Sequence, residues 1–245
     1  DGLFERFPCD VVFGMHNRPG LAIGKFQTRP AAMMAGGAYF DIAISGVGAH
    51  GARPESSVDP VIVGAQIASA LQTIVSRNIR PIETAVVSVT RFHAGQAYNV
   101  IPDKAVLGGT VRCFSDSAMT LIENNMRRIA ESVAAGFGAT AALDFRILFP
   151  VLMNHAGETQ FILDCAAELV GEENVNRSMA PTMASEDFAY MLRAVPGAYI
   201  QIGNGDGEGA CEVHNPGYDF NDAALPFGAS LFVKLVEKRL DRLTG

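Results

Sequence analysis

An α/β domain interrupted by a self-contained ferredoxin-like α+β unit is the fold class that this 245-residue sequence predicts. Two observations carry the prediction. The middle of the chain alternates strand-period and helix-period apolar segments in the order β-α-β-β-α-β, a split βαβ unit. The flanks read differently, as an early strand and then several helices around a single strand. Thr28-Arg29-Pro30 and Phe149-Pro150 are the linkers, so residues 34–148 form the inserted unit, and 1–33 with 149–245 form the α/β domain.

The elements follow in order. Asp10-Val11-Val12-Phe13-Gly14-Met15 reads as a buried strand, with a turn-rich exit at Asn17-Arg18-Pro19-Gly20. Tyr39 to Ser45 alternates and stops at Gly46, the pattern of a half-buried strand. Asp59 is a helix N-cap, and Pro60 stands at the first helical position, where its missing N–H costs nothing. That helix is expected to reach about Ser76, with Ile62, Ala65, Ile67, Leu71, Ile74 and Val75 inward. Thr84 to Thr90 is β-branched and strand-like. Lys104 to Phe114 is another strand, in which Gly108-Gly109 marks a bulge or a close backbone approach. A helix from Ser117 to Ala135, stopped by Gly136 and Gly138, and a strand from Ala141 to Leu148 complete the unit. Helices near 157–170, 186–194 and 222–240 and a strand from Ala198 to Gly203 fill the C-terminal flank.

Composition narrows the function. Nineteen basic against 26 acidic residues leave a net charge of −7, which argues against general nucleic-acid binding and adhesion to anionic membranes. Hydrophobic residues are 49% and charged ones 18%, as in a globular chain with a core, not a disordered one. No apolar run approaches the ~20 residues of a membrane span. Cys9, Cys113, Cys165 and Cys211 are widely spaced with no CxxC pair, so a reducing, cytoplasmic setting is expected. The chain is already running a strand within its first ten residues, as a chain does that starts partway into a domain.

Several motifs mislead when taken singly. Gly46-Val47-Gly48-Ala49-His50-Gly51 matches GxGxxG after a strand, yet no helix opens at its third glycine to hold a pyrophosphate. A glycine-rich loop presenting His50 is the better reading. There is neither a GxSxG elbow nor a GxxxxGK[ST] loop. Gly203-Asn204-Gly205-Asp206-Gly207 reads as a flexible loop, and Glu172-Glu173 as a solvated helix end. His93 and His155 have no supporting context. His16 and His214 lie at a strand end and in a strand-to-helix loop, where α/β folds build sites, and imidazole is a common zinc ligand.

Together the pieces form a constellation. Phe-Gly-Met-His16-Asn, Gly-Ala-His50-Gly-Ala-Arg-Pro with Val58-Asp59-Pro60, and Tyr98-Asn99-Val-Ile-Pro102 come first. Gly109-Thr110-Val-Arg112, Ser185-Glu186-Asp187-Phe188 and His214-Asn-Pro-Gly-Tyr218-Asp219-Phe220-Asn221-Asp222 follow in order. The sequence resembles the N-acyl-amino-acid amidohydrolases, such as hippurate hydrolase, within the aminoacylase and carboxypeptidase-G-like di-metal peptidases.

The resemblance implies an α/β catalytic domain carrying two divalent ions (Zn, Mn, Co or Ni), interrupted by a ferredoxin-like lid that dimerises. It implies hydrolysis of small N-acyl amino acids by a metal-activated water, with a glutamate shuttling the proton. His16 and His214 would be metal ligands, one at each ion or nearly so. His50 and Asn99 would stabilise the oxyanion, with His50 reaching a neighbouring subunit, and Arg112 would hold the substrate carboxylate. Ser185 would cap a helix. No nucleic-acid or membrane partner is implied. The family's remaining ligands, a Cys-Gly-His-Asp-x-His stretch and a Glu-Glu pair, lie upstream of the histidine matching His16 and are absent here. Ala184 replaces a usual glycine, and Glu55 a frequent histidine. The expected catalytic domain is therefore incomplete and inactive alone; the competing reading is a non-catalytic dimerisation module of the same fold.

Overall fold

The computed structural model describes residues 2–207 and 211–244, with side chains through residue 240. In chain order, α1 (Leu3–Arg6) precedes β1 (Val12–Arg18), β2 (Phe26–Gln27), β3 (Ala31–Met34) and β4 (Gly36–Ser45). Next come β5 (Ala49–His50), α2 (Pro60–Thr73), β6 (Ala85–Ala94), β7 (Val100–Ile101), β8 (Lys104–Cys113) and α3 (Asp116–Gly136). β9 (Thr140–Phe149) and β10 (Leu152–Asn154) lead to α4 (Ala156–Val170) and β11 (Val175–Asn176). α5 (Phe188–Ala194), β12 (Gly197–Gly203) and α6 (Leu225–Thr244) finish the chain. Two compact units result: Asp1–Met33 with Leu152–Thr182 and Asp187–Gly245, and Met34–Val151 with Met183–Glu186.

The second unit is an antiparallel sheet in the order β6-β8-β4-β9. Period-two alternation in β4 sends Ala38, Phe40, Ile42 and Ile44 to one face, where they are buried with Leu107 against Ile67, Leu71, Ile122 and Met126 of α2 and α3. Each such side chain, fully buried, contributes roughly 1.5–3 kcal/mol. The other face carries Tyr39, Asp41, Thr110 and Arg112. Asp59 caps α2 by accepting from the Val61 amide at 2.8 Å. Ser115, two residues before the expected start, caps α3 through the Ala118 amide at 3.1 Å.

Two details of this unit differ from the sequence reading. The buried stripe of α2 is Pro60, Val63, Gly64, Ile67 and Leu71, and Ile62 is exposed. The segment is apolar on nearly every side, so periodicity alone does not choose the inward face. Gly64 chooses it: a Cβ there would lie 2.7 Å from the Phe92 ring, which packs on the bare backbone. The α-helix also stops at Thr73 and widens into a π turn over Ile74–Asn78. At Gly108-Gly109 the bulge lies in the partner strand, between Val89 and Arg91, while Gly109 itself meets the Ser88 carbonyl too closely for any side chain.

The first unit has a mixed sheet in the order β1-β12-β2-β11, with β1 parallel to β12 and His16 in register with Gln201. β12 is buried along its whole length. Phe26, Phe161, Ile162, Leu163, Ile200, Leu231 and Leu235 form the core. Residues 1–33 hold β1, β2 and most of β3 where one strand was expected, because a two-residue ladder carries no periodicity. Asn154 is 4% exposed and joins three segments. Its Nδ2 donates to Thr28 Oγ1 (2.9 Å), Arg29 O (2.9 Å) and Tyr199 O (3.1 Å), and its Oδ1 accepts from the Tyr199 amide (2.7 Å). All four cysteines are free thiols, and burial pushes Cys113 and Cys165 up. No described helix is long and apolar enough to cross a membrane.

Candidate active site

In the first unit β1 delivers His16 at its C-terminal half, and two contacts draw the loop bearing His214 to that strand. Asn17 Nδ2 donates to the Tyr218 hydroxyl, and Arg18 Nη1 donates to Glu212 Oε2 at 3.2 Å. The contacted residues bracket His214, whose backbone sits at φ 70, a left-handed conformation costly for a residue with a side chain. Turns within the loop hold it there: the Asn215 amide donates to Glu212 O, and the Tyr218 amide to Asn215 O.

Asn204 is the unforeseen part of this site. It is 2% exposed, and it is a rigid staple where a flexible loop was expected. Its amide N–H donates to Arg18 O (3.1 Å), its Nδ2 to Asp219 O (3.2 Å), and its Oδ1 accepts from the Asn221 amide (3.0 Å). The strand bearing His16 and the segment following His214 thus hang on one buried amide. A cavity of about 380 Å³ opens beside His16, lined by Met15, Asn17, Phe220, Leu225 and Phe232 among others.

The Nδ1 of His16 lies 2.7 Å from the Asn17 carbonyl oxygen, which only accepts, so in the neutral ring Nδ1 carries the proton and Nε2 the lone pair. That is the arrangement in which histidine binds a metal, with a carbonyl behind it. Among the described residues no group of three or more His, Cys, Asp and Glu converges. Two imidazoles alone are fewer than the three or four protein ligands that a zinc-type ion takes. Glu172 offers no further ligand: Arg177 donates to both its oxygens at 2.6 and 2.8 Å and holds its carboxyl below the usual range.

The second unit brings His50 and Asn99 together. β5 pairs with β7, placing His50 opposite Val100, and the Gly51 amide donates to Asn99 O at 2.7 Å. The glycines of the GxGxxG match serve this crossing. A Cβ on Gly46 would stand 2.1 Å from Val58 O, one on Gly48 3.0 Å from Ile101 O, and one on Gly51 3.2 Å from the Asn99 backbone. Both functional side chains are exposed on this arm, beside an exposed Tyr98. His50 has the opposite tautomer to His16. Its Nδ1 accepts from the Ala52 amide at 3.0 Å, so the neutral ring's proton is on Nε2, a donor.

Arg112 lies elsewhere in that unit, on the sheet face opposite the helices. Its Nη1 donates to Thr110 Oγ1 (2.5 Å) and Val111 O (2.9 Å). Ser185, expected to cap a helix, does not: α5 begins later, with Asp187 at its cap position. The Ser185 hydroxyl is instead buried without a hydrogen-bond partner over Gly37, where a Cβ would be 2.8 Å from it and 3.1 Å from Arg112 Nη1. Nothing in the local sequence distinguishes this buried hydroxyl from a cap.

The pattern of peptidase family M20/M25/M40 matches residues 1–238. Hippurate hydrolase of Campylobacter jejuni is 38% identical over 240 residues, 98% of this chain and 62% of that enzyme. N-acetylcysteine deacetylase of Bacillus subtilis is 38% identical over 225 residues, 92% of this chain and 58% of that one. The crystal structure of a dinuclear metal-binding M20 peptidase from Bacillus subtilis superposes with a TM-score of 0.78 at 31% identity. That match covers 95% of this chain and 58% of the other. The chain thus spans about three fifths of the length of the relatives it matches.

Proposed function

Because the chain belongs to peptidase family M20/M25/M40, we propose that it is part of a metal-dependent amidohydrolase that cleaves N-acyl amino acids. The observation that carries this is the opposed contacts at Nδ1, to a carbonyl oxygen in His16 and to a backbone N–H in His50, which fix opposite tautomers in the neutral rings. One imidazole presents a lone pair and suits a cation; the other presents an N–H and suits an oxyanion. Residues 1–33 and 149–245 are the catalytic domain, and 34–148 a ferredoxin-like lid.

Bound divalent ions would supply a water of lowered pKa and polarise the amide carbonyl. The protein's residues do the rest. His16 Nε2 and the His214 ring would hold the ions, one at each or nearly so. His50 Nε2–H and the Asn99 side-chain amide donate to the oxygen that gains charge as the carbonyl becomes tetrahedral. Arg112 pairs the amino-acid carboxylate and so orients the scissile bond. Two imidazoles leave the shell short, so this chain is not competent alone. The free cysteines agree with a reducing, cytoplasmic setting. The exposed Phe92 on the edge strand β6 and Ile62 on α2 support a homodimer through the lid. Sedimentation is expected to show a dimer at micromolar concentration, and a strict monomer contradicts it.

Hippurate titration followed by NMR tests the substrate class. Shifts should saturate at the Arg112 face and vanish in Arg112→Gln, with no metal-dependent release of glycine. Absence of binding contradicts the substrate class. Turnover by this chain with added zinc or manganese contradicts its incompetence.

A further inference from the structure

The open sheet face of the second unit carries a cavity of about 410 Å³ that runs from Arg112 to Arg91. Gly108, where a Cβ would lie 2.7 Å from Asp41 Oδ1, leaves the middle strand bare beneath it, and Tyr39 and Thr110 stand on the same face, between its two ends. Arg91 is in register with Gly108, four residues from Arg112 on β8, so the two backbones are about 13 Å apart along the strand.

The two guanidinium groups bound the cavity in different states. A third, Arg146, is spent: it pairs with Asp41 Oδ2 at 2.5 Å and also with Asp144. Arg91 is not. Its Nη1 stops 3.6 Å from Asp41 Oδ1, beyond a hydrogen bond, and that oxygen is buried without a hydrogen-bond partner. The ion pair is unclosed, and the side chain is 56% exposed and free to swing onto another acceptor. Three arginines against Asp41 and Asp144 leave the cavity with one excess positive charge.

We infer that this cavity takes a ligand with two anionic groups, one at Arg112 and the second at Arg91, so that Arg91 selects N-acylated acidic amino acids. The inference rests on the reading that Arg112 holds the α-carboxylate. A planar guanidinium favours a carboxylate over a carboxamide of equal shape because only the former is charged and accepts a parallel pair of bonds. The site is partly solvated, so the preference is moderate and fades at high ionic strength.

N-acetyl-L-glutamate and N-acetyl-L-glutamine, titrated into the 245-residue chain without metal, isolate the second charge. The acid is expected to bind about tenfold more tightly at low salt, the scale of one charge-assisted contact. Arg91→Gln should erase that ratio while leaving the glutamine compound's affinity unchanged. Arg112→Gln should weaken both ligands. Equal affinities for the two ligands, or a ratio that survives Arg91→Gln, overturns the assignment of Arg91 while leaving Arg112 standing. If Arg112→Gln changes neither affinity, the carboxylate reading falls, and this one with it. Circular dichroism of each variant separates misfolding from lost contacts.

Discussion

Replacing Asn154 with Leu should destabilise the first unit by about 3–5 kcal/mol, measured by urea unfolding. The side chain is nearly isosteric, so volume is not the cause. The loss comes from four hydrogen bonds made by one buried amide, to Thr28 Oγ1, Arg29 O and both backbone groups of Tyr199. A buried polar group left unpaired costs about 1–3 kcal/mol, and Leu leaves several at once. Asn154→Asp separates the two roles of the amide. It keeps the acceptor for the Tyr199 N–H but turns a buried oxygen toward Arg29 O and Tyr199 O, so at pH 7 it should cost at least as much as Leu and recover part of the loss as the pH is lowered and the carboxyl protonates. A change under 1 kcal/mol for Leu would mean that water replaces the amide, and the staple would not be the joint of this unit.

Gly46→Val should cost the second unit about 3 kcal/mol or more. The new Cβ would lie 2.1 Å from the Val58 carbonyl oxygen, a backbone atom that cannot rotate away. Val47 and Val58 exchange two hydrogen bonds at this crossing, 2.9 and 3.0 Å, and these fix the start of the arm that carries His50. The substitution therefore reaches function through shape. His50 and Asn99 should lose their mutual register, visible as loss of protection at the Gly51 amide in hydrogen exchange. Val at Gly136, where nothing lies within 4 Å, is the matched control for the steric clash and should cost far less. Equal effects at the two positions would contradict the crossing as the reason for the glycine.

The long elements of the second unit were legible because their periodicities are strong and local. Asp59-Pro60 reads as a helix start in any context, and the alternation of Tyr39 to Ser45 names the buried face. Where several faces are apolar, as in α2, the choice passed to a tertiary contact, Phe92 on Gly64. The site divides in the same way. His16, His50, Asn99, Arg112 and His214 stood out because the family motifs mark them, whereas Asn204, Ser185 and Asn154 did not. The partners of the two asparagines lie outside any local pattern: Asn154 meets Thr28 across 126 positions, and Asn204 meets Asp219 across 15. No local pattern can encode such a bond. The GxGxxG match shows the converse, since glycines spaced for a pyrophosphate loop here serve three close backbone crossings.

Zinc titration of this chain by calorimetry, with His16→Ala and His214→Ala, tests most directly whether these two imidazoles are metal ligands. Wild type should bind zinc weakly, and each substitution should weaken by about tenfold or more the binding that its own imidazole supports, while His93→Ala leaves it unchanged. Zinc binding that is indifferent to both histidines would contradict the assignment of the first unit as the metal-bearing half of an amidohydrolase.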